Sequence, residues 1–366
     1  MPLQHISCAG RHNGTVNLNA PTFAAPRVRA RCSYFNSCTR LNSLSYRHFL
    51  SLFLVFLAIF TASSSMGFDL QGHRGARGMA PENTLAAFGY ALKLGVTTLE
   101  LDVGVTADGA VVISHDPYLN PSITRGKNGR WLVGAKGPLL NSLTLAQLLS
   151  YDVGRINTAS TYAQQFPSQQ PQDGQRIPTL ARLFEMVKAN GADEVRFNIE
   201  TKLNPLDAQA TASPGVMVNA LLAVVRAADM TERVTIQSFD WRTLRLVHKL
   251  EPGMPTACLS SQTATGGTLA GGLWTAGLKL GDYTGVPAMV KAAGCSTWSP
   301  NEAALTERQV ELAHAVGLLV VPWTVNAAAD MRRLMDWRVD GIITDYPGRL
   351  RKLMQQRGLL LPPAVP

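Results

Sequence analysis

The sequence predicts an α/β chain folded as a (β/α)8 TIM barrel, with an insert after the strand that ends at His115. Three observations carry this. From Phe68 onward, short apolar runs of strand type alternate with segments of helical period, the pattern of a mainly parallel sheet. The two runs flanking Ala107-Asp108-Gly109-Ala110 read as a hairpin, and merging them leaves eight strand–helix units. At 366 residues with 46% hydrophobic composition, the chain has room and core material for one large barrel or for two average domains.

The strands, in order, are Phe68–His73, Thr97–Val105, Val111–His115, Glu194–Thr201, Arg233–Phe239, Thr256–Ser260, Ser296–Ser299, Leu318–Val325 and Gly341–Asp345. Helical faces fall between them. Leu85, Phe88 and Leu92 follow a start at Asn83-Thr84, and Leu180, Phe184 and Val187 precede a stop at Asn190-Gly191. Leu244 and Val247 follow Trp241, Leu312 and Val316 precede Gly317, and Met331, Leu334 and Met335 precede the last strand. Two stretches interrupt the alternation: residues 117–175, with one short helix near Leu143–Leu149 and a polar tract over Asn157–Gln175, and the Gly/Thr-rich Thr263–Gly281. Both follow strand ends where barrel enzymes grow access loops, although the Gln-rich tract also suits a disordered surface insert. The domain plan is a leader over residues 1–65, a barrel over residues 66–358 and a frayed tail over residues 359–366.

The leader distorts the charge. Of the net +9, six charges are Arg11, Arg27, Arg29, Arg31, Arg40 and Arg47, with no acid among them, which leaves +3 for the remainder. No Lys/Arg cluster interleaved with aromatics is present, which sets nucleic acid aside. Arg40 and Arg47 precede the apolar run from Phe49 to Phe60, followed by Thr61-Ala-Ser-Ser-Ser65. A basic flank, a short apolar run and a small-residue exit predict export, periplasmic or extracellular, with cleavage within Ala62–Met66 and no stable membrane span afterwards. An uncleaved anchor and an organelle transit peptide are the alternatives, and the long basic region suggests a start assigned upstream of the true one. Cys258 and Cys295 remain in the mature chain, paired or simply buried.

In Leu99-Glu100-Leu101-Asp102-Val103 the side chains alternate, so Glu100 and Asp102 share a face. In a barrel the leucine face packs on the helices and both carboxylates turn into the lumen, where they demand a compensating cation. Phe197-Asn198-Ile199-Glu200-Thr201-Lys202 repeats the pattern, with Asn198, Glu200 and Lys202 on one face. Three converging acids, Glu100, Asp102 and Glu200, offer hard oxygen ligands of the kind Ca2+ or Mg2+ takes; ion pairing with Arg74 or Lys202 is the plainer alternative. His73 and His115 end strands at the same end of the barrel. Hydrolysis of a dialkyl phosphodiester needs a nucleophile activated and an alkoxide protonated, tasks two imidazoles divide between them. Arg74, on a turn with Gly75 and Gly78, suits a phosphate oxygen.

These residues carry a resemblance. His73-Arg74-Gly75, Pro81-Glu82-Asn83-Thr84, Glu100-Leu101-Asp102, His115-Asp116, Ile199-Glu200-Thr201-Lys202, Gln237-Ser238-Phe239, Trp323-Thr324-Val325-Asn326 and Thr344-Asp345-Tyr346-Pro347 resemble, in order, the glycerophosphodiester phosphodiesterase family. The resemblance spans nearly all of Phe68 to about Gly358. It implies a TIM barrel, with His73 as base and His115 as acid, and Glu100, Asp102 and Glu200 as ligands of a divalent cation. It further implies Arg74 and Lys202 on the phosphate and Trp323 at the glycerol end, with an ordinary core tryptophan as the alternative for Trp323. Glu82 is expected to be a helix N-terminal acid that orients the His73 loop, and Asp345 to orient a neighbour. The implied reaction is metal-dependent hydrolysis of a small-molecule glycerophosphodiester to glycerol 3-phosphate and an alcohol. The long insert leaves open a lysophospholipase D or wall-polymer phosphodiesterase, and a silent barrel that binds phosphodiesters is the alternative from another class.

Overall fold

A computed structural model of the protein describes residues 67–263 and 266–365; the predicted leader, including its cleavage site, lies outside them. The chain enters at β1 (Asp69–Gly72), which leads through the His73 loop into α1 (Leu85–Leu94). Thr84 starts α1 by accepting the Ala87 N–H at 3.2 Å, and Gly95, at φ 82°, ends it. Next come β2 (Thr98–Val105) and β3 (Val111–Ile113), which pair antiparallel as the hairpin anticipated around Asp108-Gly109. The insert carries α2 (Leu145–Leu148) and α3 (Thr161–Gln165) before α4 (Leu180–Ala189) returns to the barrel.

The alternation resumes with β4 (Arg196–Thr201), α5 (Pro214–Ala227), β5 (Val234–Ser238), α6 (Trp241–Leu250) and β6 (Thr256–Ser260). A small antiparallel pair, β7 (Gln262–Thr263) and β8 (Gly266–Gly267), opens the Gly/Thr-rich excursion. The chain then runs through α7 (Val286–Ala292), β9 (Thr297–Pro300), α8 (Glu307–Ala315), β10 (Leu319–Val320), α9 (Ala328–Asp336), β11 (Gly341–Thr344) and α10 (Pro347–Gln356).

Eight parallel strands stand in the order β10-β9-β6-β5-β4-β2-β1-β11. Backbone bonds from Asp340 N to Val320 O (2.9 Å), from Ile343 N to Pro322 O (3.0 Å) and from Val325 N to Ile343 O (3.0 Å) join the two ends. The sheet is thus a nearly closed (β/α)8 barrel. Its core lies between strands and helices: the outward Leu99, Leu101, Val103, Phe197 and Ile199 meet Phe88, Phe184 and Leu221, all fully buried. Phe184 and Phe197 contact edge to face at 4.8 Å. Each such side chain contributes about 1.5–3 kcal/mol by leaving water.

Four expectations need correction. The strand predicted over Leu318–Val325 is regular only at Leu319–Val320, because Pro322 has no N–H for the ladder. On α8 the buried residues are Val310 and Ala313, whereas Leu312 and Val316 lie exposed: the face was read one position out. The Gln-rich tract is folded against the protein. The insert has a core of its own (Val112, Leu119, Leu140, Leu148, Val153 and Ile177), and Gln170 N bonds Met79 O at 2.9 Å. The tail is pinned rather than frayed, with Val365 N on Leu92 O at 3.0 Å and Arg351 on the Pro362 carbonyl at 2.7 Å. Cys258 and Cys295 form a disulfide behind the barrel wall, Cα to Cα 5.9 Å. No helix among the described residues is long and apolar enough to cross a membrane.

Candidate active site

The sheet register brings the chemistry together. Parallel pairing sets Glu100 beside Asn198, Asp102 beside Glu200, and Glu200 beside Gln237. All of these point inward while their apolar neighbours point to the helices, as strand alternation requires. His73 and Arg74 follow the end of β1, and the Arg74 backbone, at φ 50°, directs its N–H to Glu100 Oε2 at 2.9 Å. A non-glycine residue in this region carries strain of about 1–3 kcal/mol, held here by the surrounding bonds. The glycines of the turn serve packing rather than the anion: a Cβ on Gly75 would stand 2.7 Å from the Ala87 backbone, and one on Gly78 2.3 Å from the Tyr346 ring. His115 sits just beyond β3, so the hairpin extending β2, and not a barrel strand, carries it; Ser114 N bonds Asp102 O at 2.9 Å.

Every predicted site residue lines one cavity of about 190 Å³: His73, Arg74, Glu100, Asp102, His115, Glu200, Lys202 and Trp323. Oxygens of Glu100, Asp102 and Glu200 lie within 4.8 Å of one another. The ion pairs considered as the alternative are also present. Lys202 Nζ is 2.8 Å from Glu200 and 3.7 Å from Asp102, and Arg74 Nε is 3.3 Å from Asp102. They do not balance the acids. Arg74 is also engaged by Glu82 at 2.6 Å, so two cations face four buried carboxylates.

The imbalance shows in the titration. Burial, and then the charge of Asp102, push Glu100 well above the usual carboxylate range. Burial raises Glu200 to about 7 against the pull of Lys202. Burial acts on Asp102 too, but His115, Lys202 and Arg74 outweigh it and hold that acid low. Three hard oxygen donors with a surplus of negative charge fit a divalent cation. One orphaned buried atom beside the cluster agrees: Asn83 Oδ1, an acceptor whose own Nδ2 donates to Asp102 at 3.0 Å.

Each histidine is tethered by a carboxylate. His73 Nδ1 lies 2.6 Å from Asp345 Oδ1 and His115 Nδ1 lies 2.9 Å from Asp116 Oδ1; a carboxylate only accepts, so both Nδ1 atoms carry the proton. Burial, and then Arg77, lower His73 to about 4, which leaves its Nε2 a free base near neutral pH, 3.9 Å from Glu100. Burial, Arg74 and Lys202 lower His115 as well, although a third of its side chain is exposed (33%). Asp345 is the orienting residue expected, holding Arg77 at 2.8 Å and accepting from Asn326 at 2.7 Å besides His73. Trp323 forms an aromatic wall with Phe239, ring centres 5.3 Å apart, and its indole N–H is spent on Ser299 O at 2.9 Å.

Four participants are not legible in the sequence, or are legible there only in another role. Glu82 precedes the helix cap and acts on Arg74, not on the helix. Tyr162 of α3 donates its hydroxyl to Glu82, and Phe166 stacks on Arg77 at 4.6 Å, so the insert reaches the site across eighty positions or more. Gln237 was noted only within a motif; its Nε2 donates to Glu100 Oε1 at 2.7 Å.

Comparison with known proteins agrees with this geometry. Residues 73–349 match the model of the glycerophosphoryl diester phosphodiesterase family. A glycerophosphodiester phosphodiesterase of Caldanaerobacter subterraneus subsp. tengcongensis is 30% identical over 289 residues, 78% of this chain and 97% of the relative. The crystal structure of a putative glycerophosphoryl diester phosphodiesterase from Silicibacter pomeroyi superposes with TM-score 0.72 at 36% identity, covering 80% of this chain and 95% of that one. A phosphodiesterase of Oleispira antarctica, solved with the product sn-glycerol-3-phosphate, shares the fold with TM-score 0.58 at 23% identity, covering 80% and 98%.

Proposed function

Because the chain belongs to the glycerophosphoryl diester phosphodiesterase family, we propose that it hydrolyses glycerophosphodiesters to glycerol 3-phosphate and an alcohol with His73 and His115 as its acid/base pair. One observation carries the reading: a buried three-carboxylate cluster in the same cavity as two imidazoles, each fixed through Nδ1 by an aspartate. Glu100, Asp102 and Glu200 would hold a divalent cation, Ca2+ or Mg2+, which supplies positive charge to the non-bridging phosphate oxygens. Arg74 and Lys202 add two donors to the same phosphate, and Arg74 is braced for this by Glu82. His73, kept neutral by burial, takes the nucleophile's proton at Nε2, and His115, nearer solvent and with its Nδ1–H held by Asp116, gives the Nε2 proton of its imidazolium form to the departing alkoxide. Trp323 and Phe239 give the glycerol end an apolar wall.

Activity on glycerophosphocholine, measured after chelation and after metal is added back, tests the cation; full turnover in excess chelator would sink it. The histidine roles are separated by leaving group. His115→Ala should lose about a hundredfold or more in kcat/KM on glycerophosphocholine and far less on a nitrophenyl phosphodiester, whose leaving group needs no proton. His73→Ala should lose similarly on both. The folded insert at the rim of the site favours one extension, a lysophospholipid substrate, and lysophosphatidylcholine assayed beside glycerophosphocholine decides between them. Export is supported by the leader pattern and by the Cys258–Cys295 disulfide, a bond suited to an oxidising compartment. N-terminal sequencing of exported protein should find a start within Ala62–Met66.

A further inference from the structure

A line of side-chain amides runs through the barrel interior beneath the carboxylate cluster. Gln237 Nε2 donates to Glu100 Oε1 at 2.7 Å, and Asn198 Nδ2 donates both to Gln237 Oε1 at 3.0 Å and to Gln71 Oε1 at 2.8 Å. Gln71 Nε2 then donates to Asp69 Oδ2 at 2.8 Å. The line has a carboxylate at each end and three amides between them. Asp69, a carboxylate paired with Arg196, only accepts, so Gln71 turns its N–H to Asp69 and its oxygen to Asn198 Nδ2. The other hydrogen of Asn198 Nδ2 meets Gln237 Oε1 and leaves the Gln237 N–H for Glu100. Both glutamines therefore present oxygens to Asn198, which has to donate in both directions. Its own oxygen is left over. Asn198 is 3% exposed, and its Oδ1 is one of the few buried polar atoms with no hydrogen-bond partner among the described residues. A buried amide oxygen without a partner is unfavourable, and a flipped Asn198 would set oxygen against oxygen at both neighbours. The orphan is the mark of a polarity imposed from the Asp69 end.

We propose that Gln237 and Asn198 are positioning residues for Glu100: the fixed direction of this amide line holds the Glu100 carboxylate in the orientation in which it serves the cation site. The inference rests on the cation reading above. Asp69 is secured independently by Thr98 Oγ1 at 2.7 Å and by Arg196 at 3.3 Å, so the far end of the line is anchored whether or not a cation is bound. Partners that orient metal ligands typically govern affinity by ten- to a hundredfold.

The test is calorimetric titration of Mn2+ into chelator-treated protein, with thermal unfolding recorded for each variant. Gln237→Met keeps the volume and removes the donor, and it should weaken Mn2+ binding about tenfold or more. Asn198→Asp removes the central donor and should do the same. Asp69→Asn leaves the Gln237 donor in place but lets Gln71 turn, so the direction of the line is less firmly set, and Mn2+ binding should weaken less than in Gln237→Met, by about two- to threefold. Should Asn198→Asp fail to fold, Gln237→Met and Asp69→Asn still give a graded expectation, with the larger loss in Gln237→Met. Wild-type affinity in a folded Gln237→Met would overturn the amide line and leave the cation site standing. A wild type that binds no Mn2+ would overturn both.

Discussion

Asp345 concentrates several of the site's restraints on one carboxyl group. It orients His73, pairs with Arg77 and anchors Asn326, and it is fully buried. Burial alone would raise it; the adjacent His73 and Arg77 hold it well below the usual carboxylate range. A group whose folded pKa is depressed contributes stability above its unfolded value, near 4, and that contribution is lost as pH falls further. Asp345→Asn should therefore flatten the decline of Tm below about pH 4. It should also lower kcat on glycerophosphocholine about a hundredfold while moving KM less, because what it loses is the set of the His73 ring. A variant with wild-type kcat would show that His73 needs no such tether. The positions of the three acids were legible in the sequence because strand alternation places them, and those of the histidines, Arg74 and Asp345 because each directly follows a strand. Glu82 was misread, since nothing local distinguishes an acid that starts a helix from one that reaches back eight positions to an arginine.

Among the elements, α3 is the one whose role the sequence hid. Its composition is that of a solvated loop, and only the folded chain shows Tyr162 seated on Glu82 and Phe166 on Arg77. Tyr162→Phe removes the hydroxyl that holds Glu82 and so loosens Arg74 at one remove. KM for glycerophosphocholine should rise severalfold with the Tm shifted little; unchanged KM would mean that Glu82 holds Arg74 unaided. On α8 the corrected face makes a second prediction. Val310→Ala removes two methyl groups from a fully buried position and should cost about 2 kcal/mol, whereas Leu312→Ala should stay within about 0.5 kcal/mol. Paired chemical denaturation of the two variants checks it, and the reverse order would restore the face first read. That error was one of phase: a nine-residue helix with few apolar residues does not fix its own rotation, and the barrel does.

For the whole molecule, eight strands and their order followed from alternation and from the hairpin at Asp108-Gly109. The pairing of Cys258 with Cys295 did not, because spacing says nothing of which strands stand side by side. β6 and β9 are neighbours although 37 positions separate the two cysteines. A cross-link closing a loop of that size contributes about 2–4 kcal/mol by restricting the unfolded chain. The double variant Cys258→Ala, Cys295→Ala should unfold that much more easily and keep its kcat, since neither sulfur lines the catalytic cavity. Loss of activity in the folded double variant would show that the bond shapes the site as well.

The same bond alters what a protease can do to this chain. The stretch between the two cysteines, which includes the glycine-rich excursion after β6, is a covalent ring. One cut inside that ring severs the backbone without releasing either piece. A nicked molecule would migrate as a full-length band under oxidising electrophoresis and split into two fragments only after thiol treatment. A cut in the insert, outside the ring, would yield separate fragments in both gels. Limited digestion run both ways thus reports which of the two long excursions opens first, with no substrate needed.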